Sequence, residues 1–358
     1  MEVTNYSINK KLVEKSRLSE IDMDNVKFGR VFTDHMLIMD FIDGEWKIPE
    51  IVPFGNLTFH PALLSIHYGQ SIFEGMKAYR TEAGKPVLFR PDLNAKRFAY
   101  SAKRMDMPEI SPELFTFCVK EFVSQDKEWV PEKEGDSLYI RPFMFATDSY
   151  IGIKSSETYR FMIIASLAVS GGVYYSADLK VKIEEKYVRA AEGGVGSVKA
   201  AGNYGASLYP ERKAKEEGYN QIIWTDAKSH EYVEEAGTMN LLFVKDGVLI
   251  TPSEETDTIL HGTTKRAVID VAKSWGVKVE ERKISVKEVI EGLENGSISE
   301  AFGAGTAATI APITEIGFRS NHYKLDPENR TFSKKVLKTL NDIKFGRIKD
   351  ENNWLFYV

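Results

Sequence analysis

The sequence has a single cysteine, Cys118, among 358 residues. One cysteine excludes an intramolecular disulfide and a metal site built from several thiolates, and low cysteine content is usual in the cytoplasm. The sequence has only six histidines, and none shows a paired metal-ligand spacing such as H-E-x-x-H. We therefore expect a cytoplasmic protein without a metal site.

The sequence also lacks an excess of basic residues and any long apolar run. With 52 acidic and 47 basic side chains the net charge is −5, which offers no overall positive field for nucleic acid. The most hydrophobic run, Phe161 to Val169, is far shorter than the ~20 residues needed to cross a bilayer. The N-terminus has no apolar region typical of a secretory signal. We expect small-molecule partners, and neither nucleic acid nor membrane.

The chain is long enough for two domains, and its patterns predict an α+β fold. We place an N-terminal domain at 1–169, a linker at 170–180, where an apolar run stops at a Gly pair, and a C-terminal domain at 181–358. Alternating segments predict strands, two of them in hairpins through Asp43-Gly44 and Asp246-Gly247. Apolar spacing predicts helices at Arg90 to Met105 and from Thr263 to Gly276.

Lys199 stands among small residues in "GGVGSVKAAGNYG", not among other charges. A poorly hydrated lysine has a lowered pKa and can attack a carbonyl as a nucleophile. A P-loop is excluded, because Val198 replaces the glycine that must precede the lysine. An exposed lysine at a strand end is the alternative interpretation.

Three other segments are typical of ligand sites. Gly262 leads into Thr263 and Thr264 at a helix start, which favours an anion, although ordinary capping by threonine explains it equally. The glycine-rich segment Ala301 to Pro312 allows close approach to a ligand or forms a tight turn. Glu234 and Glu235 run into Ala-Gly-Thr, where a buried carboxylate would need a cationic partner.

Together these features are what pyridoxal 5′-phosphate requires. A lysine holds its aldehyde, anion sites hold its phosphate, and an acid keeps its pyridine nitrogen protonated.

The sequence resembles the branched-chain amino acid aminotransferases, which are pyridoxal-phosphate enzymes of fold type IV. The segments that carry the resemblance, in the family's order, are "GQSIFEGMKAYR" (69–80), "FRPDLNAKRFAYSAKRM" (89–105), "LYIRPF" (138–143), "GGVGSVKAAGNYG" (193–205), "EAGTMN" (235–240), "LHGTTKR" (260–266) and "FGAGTA" (302–307). The resemblance implies a two-domain fold like that of D-amino acid aminotransferase, with a smaller N-terminal α/β domain and a larger C-terminal domain containing a mixed, barrel-like sheet.

The resemblance also implies roles for the cofactor-binding residues. Lys199 would join the cofactor aldehyde and transfer the proton at the substrate Cα. Tyr204 would hydrogen-bond the phenolic oxygen, and Glu235, rather than its neighbour Glu234, would pair with the pyridine nitrogen. The phosphate would be bound by Arg97, Thr263, Thr264 and Thr306.

The same resemblance implies an unusual substrate pocket, which must accept an aliphatic side chain and also the carboxylate of glutamate. Its walls would be Tyr68, Phe73, Tyr139, Arg141, Ile153 and Tyr174. Thr238 and Ala307 would offer backbone donors to the α-carboxylate. A second subunit of a homodimer would complete the pocket near Tyr68. Without the resemblance, Phe73 and Tyr139 are equally explained as core aromatics and Arg97 as a surface arginine.

The expected reaction is transfer of the amino group of leucine, isoleucine or valine to 2-oxoglutarate. Two alternatives stay open: another fold type IV enzyme, such as a D-amino acid aminotransferase or an aminodeoxychorismate lyase, and a non-catalytic carrier of the cofactor. Ala308 and Ala311 stand where some animal members carry a redox-active cysteine pair, so no thiol regulation is expected there.

Overall fold

The computed structural model describes residues 6–169 and 178–358. Contacts between Cα atoms divide the described chain into two units. The first contains 6–169, 199–201 and 342–358, and the second contains 178–198 and 202–341. Tyr174 and most of the predicted linker lie outside the described residues.

The helices and strands up to residue 169 belong to the first unit. The strands are Asn9–Lys10 (β1), His35–Ile42 (β2), Glu45–Trp46 (β3), Glu50–Pro53 (β4), Ser71–Phe73 (β5), Met76–Arg80 (β6), Pro86–Phe89 (β7), Ser137–Ala146 (β8) and Tyr159–Ala168 (β9). The helices are Leu64–Tyr68 (α1), Pro91–Arg104 (α2) and Pro112–Gln125 (α3).

The remaining elements begin at residue 179. The strands are Leu179–Ile183 (β10), Gln221–Thr225 (β11), Val233–Ala236 (β12), Met239–Lys245 (β13), Val248–Thr251 (β14), Val279–Glu281 (β15), Ile298–Gly305 (β16), Thr309–Phe318 (β17), Asn321–Lys324 (β18) and Leu355–Tyr357 (β19). The helices are Ala201–Glu216 (α4), Thr263–Ser274 (α5), Val286–Glu294 (α6) and Thr331–Lys344 (α7).

The sheet of the first unit runs in the order β1-β4-β2-β9-β8-β6-β7-β19, with β3 paired to β2 and β5 to β8. Its longest ladder joins β8 and β9 antiparallel from Ser137 opposite Ala168 to Ala146 opposite Tyr159. The β2–β3 hairpin turns through Asp43 and Gly44, both with positive φ, as a tight turn of this type requires. These predicted strands and this hairpin are confirmed.

Helices α2 and α3 supply aromatic side chains to the core of the first unit. Phe98 of α2 lies with its ring centroid 5.1 Å from that of Phe115 in α3 and 5.5 Å from that of Phe161 in β9. Helix α2 begins with Pro91, whose fixed φ suits the first helical position, and ends on the basic residues Lys103 and Arg104. The predicted helix at 90–105 is confirmed, and its buried face also carries Arg97.

The sheet of the second unit runs in the order β12-β11-β10-β17-β16-β13-β14-β15. A further pairing between β12 and β13 closes six of these strands into a barrel. Its interior is apolar, with Val181, Ile223, Leu241, Phe243 and Ile313 almost fully buried. The predicted barrel-like sheet and the predicted helix from Thr263 are confirmed.

The chain returns to the first unit at its C-terminal end. Strand β19 pairs antiparallel with β7, from Leu355 opposite Phe89 to Tyr357 opposite Val87. The sequence placed 342–358 in the second domain, but their contacts group them with the first. The first unit, expected to be the smaller, therefore holds the larger share of the chain. The boundary placed at 170–180 stays a prediction, although Leu179 and Lys180 already belong to β10.

In the part of the chain that the structure covers, helices are too short or too polar to span a bilayer.

Candidate active site

Lys199 lies just before α4, in the short segment 199–201 that belongs to the first unit. Its carbonyl oxygen accepts a hydrogen bond from Phe73 N at 3.0 Å, and its own N donates to Ser101 Oγ at 3.2 Å. The Nζ atom lies 4.6 Å from the centroid of the Phe73 ring. Strand β5 and helix α2 therefore hold both the backbone and the amine of this lysine.

The environment of Lys199 favours its neutral amine. Burial lowers its pKa from 10.5 to about 8, and the nearby guanidinium groups of Arg97 and Arg141 lower it further, while Glu74 opposes them. A neutral amine at mildly basic pH is the form that attacks a carbonyl. The interpretation of Lys199 as an exposed lysine at a strand end is therefore wrong.

Arg97 is held on the buried face of α2 by a carboxylate. Its Nε donates to Glu74 Oε1 and its Nη2 to Glu74 Oε2, both at 2.7 Å. Asn94 Nδ2 donates to the same carboxylate at 2.7 Å. Because Arg97 is 7% exposed, the interpretation as a surface arginine is wrong. Its role as a phosphate ligand stays a prediction.

Phe73, Tyr139 and Arg141 lie together around one cation. The guanidinium carbon of Arg141 is 4.5 Å from the Phe73 ring centroid and 5.4 Å from that of Tyr139, and Nη2 donates to Tyr139 Oη at 2.9 Å. Arg141 Nε is buried and has no hydrogen-bond partner among the described residues. These residues thus combine apolar ring surface with a donor directed at an anionic group.

Glycine at position 75 makes room for Tyr139. A Cβ at Gly75 would lie 2.2 Å from Tyr139 Oη, closer than two such atoms can approach. The glycine of "FEGMK" is therefore required by the position of this tyrosine.

In the second unit, Glu235 of β12 is held as a carboxylate. Arg189 Nε lies 2.8 Å from Glu235 Oε2, and Leu260 N donates to Oε1 at 2.7 Å. Asn240 Nδ2 donates to Oε1 at 3.3 Å and to Leu260 O at 2.9 Å. Glu235 is 2% exposed, so this ion pair and these hydrogen bonds offset the cost of burying its charge.

Three of the predicted site residues line one small cavity of the second unit. Glu235, Tyr204 of α4 and Thr238 of the β12–β13 turn surround it, together with Arg189, Asn203 and Leu260. Glu234 is absent from the lining of this cavity. Of the two neighbouring acids, Glu235 is therefore the one that shares a cavity with Tyr204.

The two predicted anion sites differ in how they are built. Thr263 and Thr264 are the first residues of α5, Gly262 is the N-cap, and no side chain caps this helix start. The alternative of ordinary capping by threonine is therefore wrong, and the first-turn N–H groups point at the N-terminal end of the helix. Thr306 and Ala307 form part of the turn between β16 and β17, both partly exposed.

The other predicted pocket residues are more exposed or not described. Tyr68, at the end of α1, is 42% exposed, and Ile153, in the β8–β9 connection, is 93% exposed. The structure of this one chain does not bring Ile153 into a pocket wall. Tyr174 lies outside the described residues.

Sequence reasoning missed Glu74, Arg189 and Asn240. Glu74 stands in the quoted segment "FEGMK" and Asn240 in "EAGTMN", so their positions were visible although their partners were not. Arg189 precedes the lysine segment in "YVRAAEGG", and nothing in its immediate surroundings indicates that it pairs with Glu235.

Comparison with known proteins gives the family. The family described as amino-transferase class IV matches residues 71–316. This chain belongs to that family. Branched-chain-amino-acid transaminase 1 of Bacillus subtilis is 42% identical over 358 residues, 97% of this chain and 99% of that protein. The branched-chain-amino-acid aminotransferase of Mycolicibacterium smegmatis is 38% identical over 341 residues, 92% of each.

The solved structures agree with the sequence relatives. The branched-chain aminotransferase of the archaeon Thermoproteus uzoniensis, crystallised with norvaline, superposes with a TM-score of 0.73 at 26% identity, covering 90% of this chain and 99% of its own. The predicted family, the fold type IV class and the enzyme class are confirmed.

Class IV aminotransferases are pyridoxal-phosphate enzymes, so the predicted cofactor is confirmed. The residues of this chain fit it. Lys199 supplies an amine of lowered pKa, α5 begins without a side-chain cap, and Glu235 supplies a buried carboxylate already fixed by Arg189.

Proposed function

We propose that this protein is a branched-chain-amino-acid transaminase, which moves the amino group of L-leucine, L-isoleucine or L-valine reversibly to 2-oxoglutarate. The products are the branched 2-oxo acid and L-glutamate, and the two half-reactions alternate. The single observation that carries the proposal is the 42% identity with a branched-chain transaminase over 97% of the chain. It favours this reaction over those of a D-amino acid aminotransferase or a lyase.

The site residues have separate tasks in this proposal. When bound, pyridoxal phosphate supplies an aldehyde that exchanges amines and a ring that withdraws electrons from the substrate Cα. Lys199 Nζ would bind that aldehyde and then carry the proton removed at the substrate Cα, a general-base step worth about 10²–10⁴-fold. Its pKa of about 8 makes the neutral amine available near that pH.

Charged residues would hold the two ends of the cofactor. Glu235, fixed by Arg189 and by Leu260 N–H, would keep a proton on the ring nitrogen. The first-turn N–H groups of Thr263 and Thr264, with Arg97 and Thr306, would bind the phosphate. Tyr204 lines the same cavity as Glu235 and would donate to the phenolic oxygen.

The dual substrate requirement fits the Phe73, Tyr139 and Arg141 group. Ring surface suits an aliphatic side chain, while the unpaired Nε of Arg141 can donate to the distal carboxylate of glutamate. Backbone N–H groups of Thr238 and Ala307 would take the α-carboxylate. Tyr68, Ile153 and Tyr174 are assigned to the same pocket by resemblance alone.

We also propose a cytoplasmic homodimer whose second subunit adds to the substrate pocket. The 42% and 93% exposure of Tyr68 and Ile153 in one chain agrees with contacts supplied by another copy.

The test begins with the visible spectrum of the purified protein. Adding L-leucine should convert the aldehyde form of the cofactor to the amine form, and adding 2-oxoglutarate should reverse it. Lys199→Ala should abolish turnover and the aldehyde band, whereas Lys349→Ala, at an exposed position, should change neither. Borohydride reduction should attach the cofactor to Lys199, and attachment at another lysine would refute the assignment.

Parallel substrates test the choice of reaction. We expect amino transfer from L-leucine, L-isoleucine and L-valine, and no reaction with D-alanine or aminodeoxychorismate. Activity with D-alanine and none with L-leucine would replace the proposed reaction while leaving the family unchanged.

A further inference from the structure

Glu234 and Glu235 are consecutive in β12 and line different cavities. Side chains of successive strand residues point to opposite faces of a sheet. Glu235 lines the small cavity with Tyr204, whereas Glu234 lines a separate cleft in the second unit with Tyr232, Thr258 and Lys283. The cleft encloses an empty volume of about 1780 Å³, its open mouth included. The proposed transamination gives this cleft no task.

The carboxyl group of Glu234 is buried but incompletely satisfied. The residue is 6% exposed, and its Oε2 atom has no hydrogen-bond partner within the described chain. Burial raises its pKa to about 7, with a hydrogen bond to Thr258 opposing and the charge of Glu235 adding to the rise. Leaving such an acceptor unpaired costs about 1–3 kcal/mol, so a donor placed there would be stabilised.

Charged groups around the cleft favour a positive ligand. The other acidic residues of its lining are Glu192, Asp226, Glu231, Glu255 and Glu281. The basic residues of its lining are Lys228, Arg282 and Lys283. Arg282 is already bound to Glu280 and Glu288, and Lys283 Nζ lies 5.4 Å from the Tyr232 ring centroid. Arg189 lowers the pKa of Glu234, while Asp226 raises it.

We propose that this cleft is a second ligand site, which binds a small protonated amine whose N–H donates to Glu234 Oε2. The positive charge would be attracted by the excess of carboxylates, and the donor would satisfy the buried oxygen that otherwise lacks one. An ammonium ion fits both requirements, whereas a cation without an N–H group fits only the first. The site is independent of the proposed transamination, because it uses none of the residues assigned to that reaction.

The experiment measures binding to the holoenzyme by saturation-transfer NMR at pH 8 in constant sodium chloride. The probe is trimethylammonium, which has one N–H donor and cannot condense with the cofactor aldehyde. Tetramethylammonium, with the same charge and no donor, is the matched control. We expect trimethylammonium to bind at least tenfold more tightly, and equal affinities would overturn the proposal.

Two variants separate Glu234 from the general charge of the cleft. Glu234→Gln should weaken trimethylammonium binding at least tenfold, because an amide carries no charge to attract the cation. Glu255→Gln removes one exposed carboxylate of the same cleft and should change the affinity less than threefold. Equal losses in the two variants would show attraction by diffuse charge and would overturn the assignment to Glu234.

The pH dependence needs no variant and therefore tests the site even where a variant fails to fold. Protonation of Glu234 competes with the ammonium ion, so affinity should fall as pH is lowered through about 7. Between pH 8 and pH 6 the dissociation constant of the wild-type protein should rise about tenfold. An affinity that stays constant over this range would overturn the proposal.

Discussion

At Lys199 the pKa depends on neighbouring charges of both signs. Burial lowers the pKa most, Arg97 and Arg141 add to that effect, and Glu74 opposes it. Each neighbour can be changed separately, so the cause of the shift is open to direct measurement.

The first prediction concerns the titration of Lys199 in protein freed of cofactor. Labelling by an amine-reactive reagent follows the neutral fraction, so it should rise with pH and reach half its maximum at about pH 8. Lys349, which is exposed, should reach half only near the ordinary lysine value of about 10.4. Mass spectrometry of digests over pH 6–11 gives both midpoints.

Removing a positive neighbour should move that midpoint upward. Arg141→Gln deletes a charge that disfavours the ammonium form, so the Lys199 midpoint should shift to higher pH while that of Lys349 stays. A midpoint unchanged in this variant would show that burial alone lowers the pKa.

The second prediction concerns the buried ion pair of Arg97. Glu74 is fully buried, and its removal leaves the guanidinium of Arg97 without its carboxylate. Breaking such a pair costs about 3–5 kcal/mol, so Glu74→Ala should lower the free energy of unfolding in urea by that amount. Glu45→Ala removes a surface ion pair with Lys47 and should have no measurable effect. Similar effects in the two variants would contradict this account.

The sequence could indicate residues that do the chemistry better than residues that hold them. Lys199 stood out because a lysine among small apolar residues is unusual, and the Gly-Thr-Thr segment because it begins a helix. Glu74 and Arg189 are ordinary charged residues in their local sequences. Their function depends on partners more than 20 positions away, Arg97 and Glu235, which local patterns do not reveal.

Among the elements, the start of α5 is tied to the acid of β12 by one asparagine. A Cβ added at Gly262 would lie 1.7 Å from Asn240 Oδ1. Asn240 Nδ2 in turn donates to both Glu235 Oε1 and Leu260 O. The helix start and the acid therefore share a support that only glycine at the N-cap leaves in place.

The third prediction tests that support. Gly262→Ala should displace Asn240, loosen Glu235 and weaken cofactor binding at least tenfold, since one hydrogen bond to a charged group contributes about 1.5–3 kcal/mol. Titration of cofactor-free protein with pyridoxal phosphate measures the affinity. Gly55→Ala, where a Cβ meets nothing within 4 Å, is the control and should bind normally. Normal binding by Gly262→Ala would show that Asn240 moves without consequence.

Strongly patterned elements followed from sequence, and short ones did not. Strands β8 and β9 are each 10 residues long and rich in aromatic and branched side chains, so alternation and length agreed. Strand β19 has three residues, Leu355–Tyr357, too few for a periodic signal. Its pairing with β7 depends on a contact made across most of the chain.

For the whole molecule, the C-terminal end is the part whose place the sequence misjudged. Trp354 is 5% exposed, and its carbonyl oxygen accepts from Arg90 N at 2.8 Å. The guanidinium carbon of Arg90 lies 4.7 Å from the indole centroid, and the Phe89 ring packs edge-on against it at 5.7 Å. The end of the chain is thus anchored where β7 meets α2, next to the helix that carries Arg97.

The fourth prediction follows from this anchor. Trp354→Ala removes a buried indole from the first unit and should lower its free energy of unfolding by about 3–5 kcal/mol. Calorimetry should show a lower melting temperature for one of two transitions, whereas Asn352→Ala, at an exposed neighbour, should leave both unchanged. If the second unit alone were destabilised, residues 342–358 would belong with it after all. The division of the chain would then be the one that the sequence predicted.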